Sequence, residues 1–73
     1  MRQIPVTSSM IAAAAYDDER QELVLTFKSG ATWRYGSETR PFTPEDVDRF
    51  EGASSAGQHF LQDIKGQWPE RRV

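Results

Sequence analysis

Few residues in this chain could catalyse a reaction. His59 is the only histidine and there is no cysteine, which excludes a thiolate nucleophile. Ser55 offers a hydroxyl, but no Gly-x-Ser-x-Gly turn surrounds it, and it is well placed to cap a helix. Because a nucleophile, a base and an orienting group must all be present, a hydrolase built on Ser55 and His59 is the least favoured function. We predict a non-enzymatic protein without cofactors, and we keep His59 as a residue for partner contact.

Carboxylates form two clusters that could attract cations or basic partners. Residues 17–19, Asp-Asp-Glu, could bind a hard cation, but the remaining ligand spacing of a calcium loop does not follow them. Residues 45–51 contain four more carboxylates along a predicted helix, where they could contact a basic partner. Acidic residues near a helix N-terminus also stabilise the helix through its dipole, which is the simpler explanation. We therefore predict no metal site.

The sequence Trp33-Arg34-Tyr35 has the clearest potential for binding. Side chains alternate between the two faces of a strand, so Trp33 and Tyr35 share one face and Arg34 occupies the other. Aromatic side chains that face solvent could stack on bases or anchor a protein, whereas those that face the helices would belong to the core. The residues leave both alternatives open and favour a core role for at least one of the two aromatics.

A predicted β-hairpin positions this sequence. Apolar and polar residues alternate over residues 23–28, Ser29 and Gly30 interrupt the pattern, and the alternation resumes over residues 31–35. Gly30 supplies the positive φ that a tight hairpin turn requires. Residues 10–16 predict a strand before the hairpin, because this run is short and lies between polar clusters despite its four alanines.

Two short helices are predicted after the strands. Thr43 is a favoured N-cap, Pro44 is tolerated at the first helical position, and Gly52 is a natural stop. Ser55 opens the second helix, whose apolar residues have the spacing of one amphipathic face. Those apolar residues are Phe60, Leu61, Ile64 and Trp68.

Length and composition are consistent with one small domain. The chain has 73 residues, of which 37% are hydrophobic. The predicted fold class is α+β, a three-stranded antiparallel β-meander packed against two short C-terminal helices. We expect a single domain over residues 1–73 whose ends, residues 1–8 and 70–73, are flexible.

Charge and hydropathy limit the classes of partner. The chain has 9 basic and 11 acidic residues and a formal net charge of -2, which argues against a dedicated nucleic-acid binder without excluding a local basic patch. No apolar run approaches the ~20 residues that span a bilayer. The first residues also lack the apolar segment of a secretory signal. We expect a cytoplasmic protein with neither a membrane nor a small-molecule partner.

The order and spacing of many residues resemble the KTSC domain family over residues 6–68. Trp33-Arg34-Tyr35 lies at the family's central Tyr-x-Tyr, and residues 53–60 follow its Ala-x-Ser-x-Gly-x-x-Phe pattern. The family occurs at the C-terminus of some lysyl-tRNA synthetases and as stand-alone proteins of bacteria and phages, and the resemblance implies RNA binding as one function to consider. The other matching residues are Val6, Ser8, Ser9, Ile11, Tyr16, Leu23, Leu25, Phe27, Gly30, Ile64, Lys65 and Trp68.

Residues 36–42 depart from the family pattern. Extra residues displace the Val-Pro that usually follows the aromatic motif, so this loop is predicted to be a site of specialisation. Length, acidic balance and the lack of a host domain also resemble a small phage-encoded regulator that binds bacterial RNA polymerase. Such a regulator needs only a compact domain with a few anchor residues.

Two functions from different classes follow from these observations. The leading hypothesis is a non-enzymatic protein-binding module, specifically a phage-encoded transcription regulator that binds and inhibits bacterial RNA polymerase. The alternative is an RNA-binding module that uses the aromatic and basic strand. The predicted partner-binding residues are Trp33, Arg34, Tyr35, Arg40, Phe42 and His59.

Overall fold

The structure is a computed structural model that describes residues 1–73, and it contains one antiparallel sheet of five strands. The strands lie side by side in their sequence order, and the helical segments are inserted between the fourth and fifth strands. None of the helices is long and apolar enough to cross a membrane. The elements are β1 (Arg2–Ile4), β2 (Ile11–Asp17), β3 (Glu22–Phe27), β4 (Thr32–Tyr35), α1 (Pro44–Gly52), α2 (Ala56–His59), a π-helical turn (Phe60–Ile64) and β5 (Glu70–Arg72).

The α+β class was predicted correctly, but the sheet has five strands rather than three. The two additional strands, β1 and β5, lie in the terminal segments that were expected to be flexible. Each has three residues, and only Ile4 among their side chains is buried. Three residues are too few to show a clear alternation of apolar and polar side chains. The position of these strands depends instead on backbone hydrogen bonds to the free edges of β2 and β4. The side chains of β1 and β5 therefore gave almost no indication that these segments form strands.

The central hairpin of β3 and β4 positions the core. Leu23 pairs with Tyr35 and Leu25 pairs with Trp33, so these four side chains lie on the face that the helices cover. Gly30 has a φ of 99° at the turn, as a tight hairpin requires. The largest fully buried side chains are Tyr16, Phe42, Phe50, Ile11, Leu23, Leu25, Ile64 and Val47.

Helix α1 begins and ends at the predicted residues. The Thr43 hydroxyl accepts a hydrogen bond from the Asp46 N–H, and the Asp46 carboxylate accepts one from the Thr43 N–H. This reciprocal pair is a capping box, and it satisfies two backbone donors at the helix N-terminus. Val47 and Phe50 are buried against the sheet. The helix therefore buries the face that its sequence predicts.

Helix α2 differs from its prediction after one turn. Ser55 caps it by accepting from the Gln58 N–H, but the chain then forms a π-helical turn in which the Lys65 N–H donates to the Phe60 carbonyl. The wider turn keeps Phe60 and Ile64 buried and leaves Leu61 50% exposed. The prediction that Leu61 shares the buried face was wrong, because the spacing rule assumes the regular period of an α-helix.

Replacing Gly36 by alanine is expected to destabilise the fold by about 1–3 kcal/mol. Gly36 has a φ of 121°, and an added Cβ would lie 3.0 Å from the Gln21 carbonyl oxygen and 3.2 Å from the Phe42 nitrogen. Both atoms belong to the backbone, so neither can move away cheaply. Urea unfolding measures the change. Gly52→Ala is the control, because no atom lies within 4 Å of its added Cβ; equal losses in the two variants would contradict the prediction.

Candidate functional site

The six predicted partner-binding residues lie in three separate places. Trp33 and Tyr35 face the helices, and Arg34 faces the opposite side of the sheet, as the alternation predicts. The other three residues lie beside Trp68 in a different groove, described below. The structure therefore does not bring the six together into one surface. The three residues that lie beside Trp68 are Arg40, Phe42 and His59.

An apolar groove of about 290 Å³ opens between β4 and the π-helical turn. Its floor consists of buried rings, since the Tyr35 and Phe60 rings meet edge to face at 5.4 Å. Its walls include the exposed Leu61 and the half-buried Trp33. We refer to this surface as the apolar groove, and the apolar residues that define it are Met10, Phe27, Trp33, Tyr35, Phe60 and Leu61.

Tyr35 is 2% exposed, yet its hydroxyl makes no hydrogen bond within the chain. Because no fully buried polar side-chain atom lacks a partner, this hydroxyl retains some exposure to solvent, and Tyr35 lines the apolar groove. Burial raises the pKa of Tyr35 to about 12, and the nearby carboxylate of Glu70 adds to the effect. The hydroxyl is therefore a permanent hydrogen-bond donor at neutral pH.

Arg34 is held by an ionic network on the sheet face away from the helices. Its Nη1 donates to Asp17 Oδ2 at 3.1 Å and to Glu22 Oε1 at 2.9 Å. Arg71 of β5 donates to both oxygens of Glu22, at 3.1 and 3.0 Å. These carboxylates raise the pKa of Arg34 above its ordinary value, so the side chain stays charged and remains paired with them. The network balances two guanidiniums against two carboxylates.

The carboxylates of this network are stabilised in their charged form. Burial alone would raise the pKa of Glu22, but hydrogen bonds from Arg71 and Arg34 outweigh it and hold that pKa below its ordinary value. The backbone N–H of Arg20, followed by the Arg34 side chain, lowers the pKa of Asp17. A group with these partners contributes to folding more than to recognition.

The loop of residues 36–42 is packed against Trp68. The Trp68 Nε1–H donates to the Pro41 carbonyl at 3.1 Å, and the Phe42 and Trp68 rings lie 4.7 Å apart. The Arg40 guanidinium lies over the Trp68 ring, 4.5 Å from its centroid. Phe42 itself is 0% exposed. The prediction that Phe42 contacts a partner is therefore corrected to a role in core packing.

A second groove, of about 420 Å³, lies beside this loop, and we call it the Trp68 groove. Both of its carboxylates have partners, since His59 Nδ1 lies 3.2 Å from Asp63 Oδ2 and Arg49 bonds to Asp46, whereas Arg40 forms no ion pair. Ser55 and His59 have separate partners, Gln58 and Asp63. No group of three or more His, Asp or Glu side chains has the arrangement of a metal site. The residues that define the Trp68 groove are Arg40, Phe42, Asp46, Arg49, His59, Asp63 and Trp68.

Comparison with known proteins agrees with the sequence pattern. The KTSC domain model matches residues 7–68 of this chain. The chain belongs to the KTSC domain family. A crystal structure of a KTSC domain protein from Yersinia pestis has a similar fold, with a TM-score of 0.82 and 29% identity, over 99% of this chain and 96% of that chain. An uncharacterised protein of Stutzerimonas stutzeri (strain A1501) is 40% identical over 67 residues, which are 92% of this chain and 89% of the relative.

Several residues of the KTSC pattern have structural roles. The Ser8 hydroxyl accepts hydrogen bonds from the N–H groups of Met10 and Ile11, at 3.0 and 3.1 Å, and so turns the chain into β2. A Cβ on Gly57 would lie 3.2 Å from that hydroxyl, so glycine lets α2 approach the turn closely. Ser55 caps α2. The KTSC pattern in this chain is thus largely a pattern of packing and capping.

Sequence reasoning missed half of the apolar groove. It placed Leu61 on the buried face of the second helix, and it gave Phe27 and Met10 no role beyond their strands. The exposure of Leu61 depends on the π-helical turn, which has no recognisable sequence signal. Alternation did place Trp33 and Tyr35 on one face, so the strand half of the groove could be predicted.

Proposed function

We propose that this KTSC domain is a non-enzymatic protein-binding module whose contact surface is the apolar groove. The observation that carries the proposal is the exposure of Leu61. It is the only large apolar side chain outside the two chain ends that is exposed, and it lies beside the half-buried Trp33 and Phe27. Contiguous exposed apolar surface bordered by polar residues is typical of protein contact sites, and Leu61 extends the apolar lining of the groove to the surface.

The groove also has the composition of an interface centre. Tryptophan and tyrosine are enriched among the residues that contribute most to binding, because they bury a large area with few rotatable bonds. Phe27 and Phe60, with ring centroids 5.3 Å apart, hold the floor in place. A partner side chain inserted there would therefore meet a surface that needs little rearrangement.

RNA binding through the aromatic and basic strand has weaker support. Tyr35 is buried and Trp33 is half-buried on the helix side, so they do not form an open platform for stacked bases. Arg34 lies on the other face and is already paired with two carboxylates. A phosphate would have to compete with both, which makes this strand a poor backbone contact.

The specific partner we propose is bacterial RNA polymerase, with the domain acting as a phage-encoded inhibitor in the bacterial cytoplasm. The support is the short length and acidic balance of the chain, which resemble those of small phage-encoded regulators. Titration of the domain into purified polymerase is expected to give a stoichiometric complex and reduced transcription from a promoter. The absence of both effects would remove polymerase as the partner. Titration with single-stranded RNA at low salt tests the alternative function.

Leu61→Lys is expected to weaken the polymerase complex by about 2 kcal/mol, or roughly thirtyfold in Kd. The substitution places a charge in the apolar groove, while Leu61 is exposed enough to leave the core intact. Surface-immobilised polymerase and the purified variants provide the measurement. Gln62→Lys is the matched control, because it adds the same charge one residue away at an exposed position. If the two variants bind equally, the apolar groove is not the contact surface.

A further inference from the structure

The rim of the apolar groove carries positive charges that have no partner in the chain. Lys65 lines the groove directly. Arg72 is the register partner of Trp33, so its side chain lies on the same face of the sheet as the groove. Among the nine basic residues, those in ion pairs are Arg2, Arg34, Arg49 and Arg71, and those without an ion pair are Arg20, Lys28, Arg40, Lys65 and Arg72.

A neutral hydrogen-bond donor lies at the same groove. The Tyr35 hydroxyl has no hydrogen-bond partner within the chain, although Tyr35 is only 2% exposed. A donor on a buried side chain is suited to an acceptor on a bound partner, because little conformational freedom is lost when the bond forms. Tyr35, Lys65 and Arg72 together offer one hydroxyl and two cations around an apolar floor.

The other clefts lack this combination. A polar cleft near the β2–β3 turn has no apolar lining, and its carboxylates outnumber its guanidiniums by three to two. In the Trp68 groove, Arg49 and His59 already have carboxylate partners. Glu70 is the one carboxylate that lines the apolar groove and Lys65 is the one lining cation, while Arg72 adds a second cation on the same face of the adjoining strand β5. With Arg72 counted, the apolar groove and its adjoining strand carry two cations and one carboxylate beside exposed apolar surface, on a chain whose net charge is -2.

We propose that the apolar groove binds a segment of a partner protein in which a large apolar side chain is flanked by aspartate or glutamate. The apolar side chain contacts Leu61 and Trp33, and the flanking carboxylates are bound by Lys65, Arg72 and the Tyr35 hydroxyl. This inference rests on the proposed protein-binding function and specifies the chemistry of the partner. It is independent of whether that partner is RNA polymerase.

Selection from a displayed library of random linear peptides tests the proposal on the intact domain. Peptides that bind the wild type but not Leu61→Asn, which removes the apolar side chain without adding a charge, are expected to be enriched in aspartate and glutamate beside leucine, phenylalanine or tryptophan. If no peptide depends on Leu61, the groove itself is not a binding surface and the proposed function loses its support. If Leu61-dependent peptides are found without enrichment in aspartate or glutamate, the groove binds protein but the proposed preference for acidic flanking residues is wrong.

Charge reversal then tests the rim residues with one synthetic peptide from the selected set. Lys65→Glu combined with Arg72→Glu is expected to weaken binding of this acidic peptide roughly tenfold. A library selection repeated with the double variant is expected to enrich lysine and arginine instead of aspartate and glutamate. Arg20→Glu is the control for each single reversal, Lys65→Glu and Arg72→Glu, because Arg20 has no ion pair and lies at the β2–β3 turn, outside the groove lining. Equal losses in the control and the single reversals would overturn the assignment.

Tyr35→Phe isolates the hydroxyl, since it removes one oxygen from a side chain that makes no internal hydrogen bond. We expect roughly threefold to tenfold weaker binding of the acidic peptide, without a change in the unfolding midpoint. A variant that binds the peptide like the wild type would remove Tyr35 from the proposed contact set.

Discussion

Phe42→Ala is expected to lower the free energy of unfolding by about 3–5 kcal/mol, the largest effect of any single change considered. Phe42 is 0% exposed, and its ring lies 4.7 Å from that of Trp68. Its backbone is also anchored, since its carbonyl accepts the Tyr16 hydroxyl at 2.6 Å and its N–H donates to the Gln21 carbonyl. Small domains have only about 5–15 kcal/mol of stability, so a large share of it would be lost.

Urea unfolding followed by circular dichroism measures this loss. Arg40→Ala is the matched control in the same loop, because Arg40 is exposed and contributes a contact with the Trp68 ring and one hydrogen bond to the Gln67 carbonyl. An exposed cation–π contact contributes about 0.5–1 kcal/mol, so the control is expected to lose far less. If both variants were equally destabilised, the assignment of Phe42 to the core would be wrong.

Glu22→Gln is expected to destabilise the domain by about 2–3 kcal/mol at neutral pH, the second-largest effect. The Glu22 side chain is 6% exposed and accepts hydrogen bonds from two guanidiniums, of which Arg34 is 19% and Arg71 48% exposed. Glutamine keeps the size of the side chain but removes its charge, so the half-buried Arg34 loses one of its two carboxylate partners. We place the cost below that of a fully buried pair because Arg71 is open to solvent.

The same variant is expected to change how stability depends on pH. The folded-state pKa of Glu22 lies below its ordinary value of 4.5, as the pKa of Asp17 and of Asp46 lies below 3.8. A carboxyl with a depressed pKa binds protons more readily when unfolded, so its contribution is present above the ordinary value and is lost as the pH falls through the folded-state pKa. Wild-type stability should therefore decline as the solution is acidified below the ordinary values.

Unfolding free energies measured at neutral pH and in acid separate this effect from a general loss of packing. Glu22→Gln should be much less stable than the wild type at neutral pH and nearly equal to it in strong acid, where the wild-type carboxyl is protonated. Glu38→Gln is the control, since Glu38 is exposed and forms no ion pair. A difference between wild type and Glu22→Gln that stayed constant with pH would contradict the predicted role of the charge.

The Glu22 network also links the stability of the domain to the rim of the apolar groove. Arg71 belongs to β5, whose three side chains are all exposed, so its bond to Glu22 is the ion pair that attaches this strand to the sheet. The strand carries Glu70 and Arg72 beside the apolar groove. A loosened β5 would therefore disturb the groove rim as well as the stability of the domain.

The sequence predicted the hairpin and helix α1 because each depends on residues that are close together in the chain. Membership of the KTSC family followed from the order and spacing of such residues. Alternation from residue 23 to 35 determines which side chains share a face, and Gly30 permits the turn. Thr43, Pro44 and Gly52 mark the ends of α1 through capping and backbone preferences that act within one turn. The separation of Arg34 from Trp33 and Tyr35 followed from the same alternation.

Only the tertiary structure decided which of these residues form a surface. The strands β1 and β5 exist because free sheet edges accept backbone hydrogen bonds from distant segments, and three-residue strands leave no periodic pattern. The exposure of Leu61 depends on a π-helical turn, and the burial of Phe42 depends on contacts with Trp68 and Tyr16, both 26 residues away along the chain. Such contacts depend on how the whole chain packs, so local residue patterns determine the elements of this protein while long-range packing determines its groove.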